Sequence, residues 1–148
     1  MASRIEEKPA LRITRTFRAP QEKVWRAWTQ AEALMHWFGP ANTGKVLSAE
    51  LDVRVGGRYH VAFTTTDGER HDVSGEYQEV DAPRRLSFSW AWKSTPERES
   101  LVTIELTSVA GGTRMDFVHE RFFDAAARDG HQRGWTGALE KLQNHVEA

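Results

Sequence analysis

Gly130-His-Gln-Arg-Gly134-Trp135-Thr-Gly137-Ala-Leu139-Glu-Lys-Leu142-Gln-Asn-His-Val146-Glu-Ala closes the chain, and its reading decides the fold. Trp135, Leu139, Leu142 and Val146 recur at intervals of four, three and four, which puts them on one face of a long helix. One apolar stripe needs a broad apolar surface to cover it. About six strand-like segments separated by turn signals precede the helix, so the pattern predicts an α+β fold with a curved antiparallel sheet wrapped around it.

Working back toward the N-terminus, Met115, Phe117 and His119 form an alternating row after a Gly111-Gly112 turn, and Val102, Ile104 and Leu106 form another. Leu86, Phe88, Trp90 and Trp92 alternate with small residues, and Val73, Gly75 and Tyr77 do the same on a strand that follows Asp67-Gly68. That dipeptide predicts a type I′ hairpin. Tyr59, Val61 and Phe63 alternate before it, and a strand from Val46 to about Val55 ends at Gly56-Gly57. Leu11, Ile13 and Phe17 mark the first strand, ended by Ala19-Pro20. Pro20 suits a helix first turn, with Val24, Trp25 and Trp28 on one face, and Thr29-Gln-Ala-Glu32 has the spacing of a capping box opening a second short helix. Gly39-Pro40 stops that helix, and Asp124 is placed to cap a short turn before the main one.

The chain has 148 residues, a length that suits one domain spanning 1–148, with a core from about 11 to 146 and a flexible N-terminus over 1–9. A formal net charge of -1 with interspersed signs offers no footprint for a nucleic-acid backbone or an anionic membrane. The chain has no cysteine, which removes disulfides, thiolate catalysis and zinc–cysteine sites. No apolar run approaches the roughly 20 residues of a membrane span, and the charged N-terminus lacks a signal-peptide core, so a soluble cytoplasmic protein is expected. Six tryptophans are many for this length, and such side chains either fill a core or line a hole.

Pro20-Gln-Glu-Lys-Val24-Trp25-Arg-Ala-Trp28-Thr29, Trp37-Phe38-Gly39-Pro40, Gly56-Gly57-Arg58-Tyr59, Gly75-Glu76-Tyr77, Asp81-Ala-Pro83-Arg84-Arg85-Leu86, Gly112-Thr113 and Gly134-Trp135 with Leu139 and Leu142 appear in this order. Over about Leu11 to Val146 the chain resembles bacterial single-domain proteins related to the C-terminal domain of the activator of the heat-shock chaperone ATPase. That family belongs to the START-like, or SRPBCC, superfamily. The resemblance implies a helix-grip fold, like that of the birch-pollen allergen, with a hydrophobic cavity between sheet and helix.

A cavity of that kind makes the inward rows candidate ligand contacts: Tyr59, Val61, Phe63, Tyr77, Phe88, Trp90, Trp92, Phe117 and His119, with Trp135, Leu139 and Leu142 from the helix. The same rows also describe a filled core whose polar tips find local partners. His119, with Arg121 nearby, is the only catalytic candidate, as a buried neutral imidazole or a hydrogen-bonded core residue. Glu76 points outward by parity, and His60 and His71 read as solvated. Gly134 and Gly137 inside the helix suggest either close packing or a helix that flexes to admit ligand. The histidines are too scattered for a metal site, neither Gly-Gly pair opens a helix as a phosphate cradle does, and no G-x-S-x-G elbow occurs. No cofactor is expected.

Taken with the inward rows, the resemblance implies binding of a small hydrophobic or aromatic ligand, lipid or polyketide-like. Two alternatives remain. One is a cyclase or dehydratase using His119, with Tyr59 or Tyr77 orienting substrate, although no carboxylate–histidine pair is evident. The other is a chaperone-associated interaction module, although the chain has no room for the extra N-terminal domain of the eukaryotic activators.

Overall fold

The computed structural model describes residues 8–148. Of the flexible N-terminus expected over 1–9, residues 1–7 lie outside that range. Strand β1 (Leu11–Phe17) leads into helices α1 (Gln21–Thr29) and α2 (Ala31–Leu34). Strands β2 (Thr43–Leu51), β3 (Arg58–Thr65), β4 (Arg70–Asp81), β5 (Arg85–Trp92), β6 (Ser100–Val109) and β7 (Gly112–Glu120) follow, and α3 (Ala125–Val146) closes the chain. All seven strands form one antiparallel sheet in the order β1-β7-β6-β5-β4-β3-β2. The two strands flanking α1 and α2 thus lie at opposite edges, and these helices carry the chain across while filling one end of the sheet.

The predicted alternation holds. Leu106 pairs with Met115 and Ile104 with Phe117 across β6 and β7, and Leu11 pairs with His119 across β1 and β7, all six buried. On α3 the expected stripe of Trp135, Leu139, Leu142 and Val146 is buried together with Ala138. Burying a side chain such as Leu139 or Leu142 is worth roughly 1.5–3 kcal/mol, so tertiary packing rather than helix propensity holds α3 in place. Trp28 and Trp37, buried and edge-on at 4.6 Å, form the plug between the short helices and the sheet, with Trp37 Nε1 donating to the Ala27 carbonyl.

Local expectations are corrected in four places. The capping box does not form: Thr29 ends α1, and its hydroxyl donates to the Trp25 carbonyl one turn back at 2.8 Å instead of capping α2. The first long strand ends at Leu51, not Val55, because Gly56 N–H and Gly57 C=O turn to bond the backbone of Tyr77. The Asp67-Gly68 turn is not type I′, since only Gly68 takes a positive φ, at +85°. A three-residue loop between Thr65 and Glu69 results, with Asp67 using its carboxylate to accept from Thr65 and from Glu69 N. Finally, Asp124 caps α3 itself, accepting from Ala127 N at 2.8 Å, so the helix starts at Ala125 and passes through Gly130 without a break.

Candidate functional site

Helix α3 packs against β1 and α1 on one side of the concave sheet and diverges from β3, β4 and β5 on the other. A cavity of about 700 Å³ fills the gap. Its sheet wall is Phe63, Thr65, His71, Trp90 and Trp92; its helix wall is Ala126, Ala127, Gly130, His131, Arg133, Gly134, Trp135 and Ala138. Asp67 and Glu69 from the β3–β4 hairpin and residues Phe38 to Asn42 complete it. The latter segment is fastened to α3 by Lys141, whose Nζ donates to the carbonyls of Phe38 and Pro40 at 3.4 and 3.1 Å. Burial lowers the pKa of this lysine.

A second chamber of about 20 Å³ lies deeper, bounded by Trp28, Leu34, Phe38, Leu51, Tyr59, Val61, Tyr77, Phe88 and Trp90. Phe38 and Trp90 belong to both walls, with ring centroids 6.0 Å apart, and form the partition. Tyr59 donates its hydroxyl to the Ser89 carbonyl at 2.6 Å, and burial raises the pKa of this phenol. The indole N–H groups of Trp28 and Trp90 have no hydrogen-bond partner among the described residues.

Of the residues anticipated as ligand contacts, Phe63, Trp90, Trp92 and Trp135 line the main cavity. Tyr59, Val61, Tyr77 and Phe88 surround the inner chamber with Trp90. Phe117, His119, Leu139 and Leu142 line neither and are buried among core side chains. Alternation identifies the concave face of a strand, but not where along the sheet the helix lifts away from it.

His119 stands behind Trp135. The indole Nε1–H donates to His119 Nδ1 at 3.0 Å, so the imidazole hydrogen is on Nε2, which donates to Ser100 Oγ at 2.7 Å. Burial, and secondarily His131, push its pKa well below the ordinary value. Both nitrogens are engaged and the residue is fully buried, so it reaches neither the cavity nor Tyr77 on the inner chamber.

The cavity-lining histidines missed by sequence reasoning are His131 and His71. His131 accepts from Trp92 Nε1–H at Nε2 (2.9 Å) and therefore donates from Nδ1 to the Ala127 carbonyl (2.7 Å). Burial lowers its pKa. The spacing 131, 135, 139 extends the apolar stripe by one turn and marks His131 as inward-facing, a signal hidden by starting the helix at Gly130. His71, on β4, is half-buried at the cavity mouth, its ring 5.3 Å from that of Phe63.

Gly134 and Gly137 of the helix differ. A Cβ on Gly137 would lie 2.7 Å from Ala41 N, so close packing requires that glycine. A Cβ on Gly134 would meet nothing nearer than Pro40 Cβ at 3.9 Å, and Gly134 lines the cavity. Among the described residues no three His, Asp or Glu side chains converge as metal ligands, and no helix is long and apolar enough to cross a membrane.

A curved antiparallel sheet gripping a long C-terminal helix, with a cavity between them, defines a helix-grip domain of the START-like (SRPBCC) class. Within that class the chain belongs to the family of activator of Hsp90 ATPase homolog 1-like proteins, whose family profile matches residues 18–147. Among solved structures, a Chromobacterium violaceum protein is 30% identical, with a TM-score of 0.83 over 95% of this chain and 99% of its own. The AHSA1 protein of Silicibacter pomeroyi is 27% identical, with a TM-score of 0.83 over 93% of this chain and 97% of its own. A Rhizobium leguminosarum protein is 30% identical, with a TM-score of 0.77 over 94% of each chain. No functionally curated protein matches the chain.

Proposed function

We propose that this protein binds a small hydrophobic or aromatic molecule, lipid or polyketide-like, in the cavity between α3 and strands β3 to β5. The observation that carries the reading is the cavity itself, about 700 Å³ and walled by Phe38, Phe63, Trp90, Trp92 and Trp135. Specific small-molecule pockets typically fall between about 300 and 1,000 Å³, with mainly apolar walls and a few polar groups. Aromatic faces on the sheet side and small residues at 126, 130, 134 and 138 on the helix side leave a broad slot suited to a flat guest. A purely binding role is favoured over catalysis by His119 and His131, because in both imidazoles each nitrogen already has a hydrogen-bond partner.

The test is titration of the purified protein with fatty acids and flat polycyclic aromatics, following indole emission, beside native mass spectrometry of the freshly isolated protein. Trp90, Trp92 and Trp135 lie on the wall, so a saturable change in emission is expected, and it should weaken in Gly134→Leu, which fills the slot. Absence of any saturable response together with no co-purifying molecule would overturn the reading.

A further inference from the structure

The β3–β4 hairpin sets a hydrogen-bonded chain of three side chains at the cavity mouth. Thr65 Oγ1 lies 2.5 Å from Asp67 Oδ1 and 3.1 Å from His71 Nε2. Thr65 is buried, and all three residues belong to the cavity wall. Asp67 also accepts from Glu69 N–H at 3.0 Å, and with the Thr65 hydroxyl this favours the ionised carboxylate.

The hydrogen positions follow from valence. A carboxylate only accepts, so the single hydroxyl hydrogen of Thr65 goes to Asp67. Thr65 Oγ1 is then left as an acceptor toward the imidazole, so in the neutral form of His71 the ring hydrogen sits on Nε2. Nδ1 is consequently a bare lone pair, and it has no hydrogen-bond partner among the described residues. The ring that bears it stands against Phe63 and Trp92, with centroids 5.3 and 6.2 Å away. Glu69, whose carboxylate is 3.9 Å from Nε2, and Arg133 and His131 across the cavity on α3 are the other ionisable groups lining the cavity.

We propose that the Asp67–Thr65–His71 chain is a polar anchor for a ligand hydroxyl. The preferred guest is an aromatic molecule carrying a phenolic or enolic O–H, which donates to His71 Nδ1 while its ring lies against Phe63 and Trp92. This inference rests on the cavity being a ligand site and adds the chemical class of the ligand. The chain selects a donor because Asp67 orients Thr65, Thr65 orients the imidazole hydrogen onto Nε2, and the remaining ring nitrogen, Nδ1, is left as an acceptor. A methyl ether of the same shape places no hydrogen there and leaves Nδ1 unmet.

The experiment uses naphthol and its methyl ether as a matched pair. The intact protein should bind naphthol about tenfold more tightly, the effect of one well-placed hydrogen bond at a partly desolvated site. His71→Phe, which preserves an aromatic wall, should abolish that preference with little change in affinity for the ether. Thr65→Val, which frees the imidazole to exchange tautomers, should reduce it. Nitrogen NMR of the imidazoles supplies a readout that needs no variant: His71 should be the Nε2–H tautomer, and its Nδ1 resonance should move with naphthol but not with the ether. Equal binding of the two compounds, a preference that survives His71→Phe, or an Nδ1–H tautomer in the free protein would each overturn the anchor while leaving the cavity reading intact. Failure of both compounds to bind would overturn the anchor, while the cavity reading is decided separately by the fatty-acid and polycyclic titration.

Discussion

Trp135 and His119 are hydrogen-bonded to one another, indole Nε1–H to imidazole Nδ1 at 3.0 Å, and the chain continues from His119 Nε2 to Ser100 Oγ and from Ser100 to the Trp90 carbonyl at 3.3 Å. One helix and three adjacent strands, β7, β6 and β5, are stitched by these contacts. His119→Ala should therefore cost about 3 kcal/mol or more, combining a cavity with two stranded polar partners. Affinity for a cavity ligand should change little. Trp135→Ala should lower both stability and affinity, because that ring fills core and lines the slot. Denaturant unfolding beside a ligand titration separates the two; a His119→Ala protein of native stability that has lost its ligand would contradict this assignment.

Acid should destabilise the fold through its buried histidines. Burial holds the folded-state pKa of His119 and His131 below the unfolded value of about 6.5. Below that pH the unfolded chain takes up protons that the folded one refuses. Their contribution is thus fully present above about pH 6.5 and is lost as pH falls toward the lowered folded values. Unfolding free energy measured from pH 8 downward should decline below about 6.5, and the decline should be shallower in His119→Gln. A profile unaltered by that substitution would exclude His119 as a source.

Two alanines three positions apart should act with opposite signs. Gly137→Ala drives a methyl group into Ala41, and overpacking of this kind costs about 1–3 kcal/mol. Gly134→Ala meets open space and should stabilise by roughly 0.5–1 kcal/mol through helix propensity. Thermal unfolding of both variants checks the pair; destabilisation by Gly134→Ala would mean that the helix packs more tightly there than its surroundings indicate.

Removal of the α3 cap should loosen one wall of the cavity. Asp124→Ala deletes the acceptor for Ala127 N–H, a loss of about 1 kcal/mol. The first turn, which carries Ala126 and Ala127 on the cavity wall, should show the faster amide exchange, while Leu139 and Leu142 keep their protection. Uniform acceleration along the helix would argue against local fraying.

The α+β helix-grip architecture was legible in the residues because its determinants are local: period-two alternation in the strands, the interval of four, three and four on α3, and the Pro20 helix start. Part of the site was legible for the same reason, since Phe63, Trp90, Trp92 and Trp135 each face inward by parity or helical phase. What depended on the third dimension was the distance between the two layers. Helix α3 follows β1 and diverges from β3 to β5, so His119 and Phe117 became core while His71, which reads as solvated, became cavity wall. Gly134 and Gly137, indistinguishable in sequence, were separated by whether Ala41 approaches the helix. The tautomers of His71, His119 and His131 were likewise set by partners distant in sequence or by a turn whose type could not be read from Asp67-Gly68. A sequence records which way a side chain points, and only the packed chain decides what it meets there.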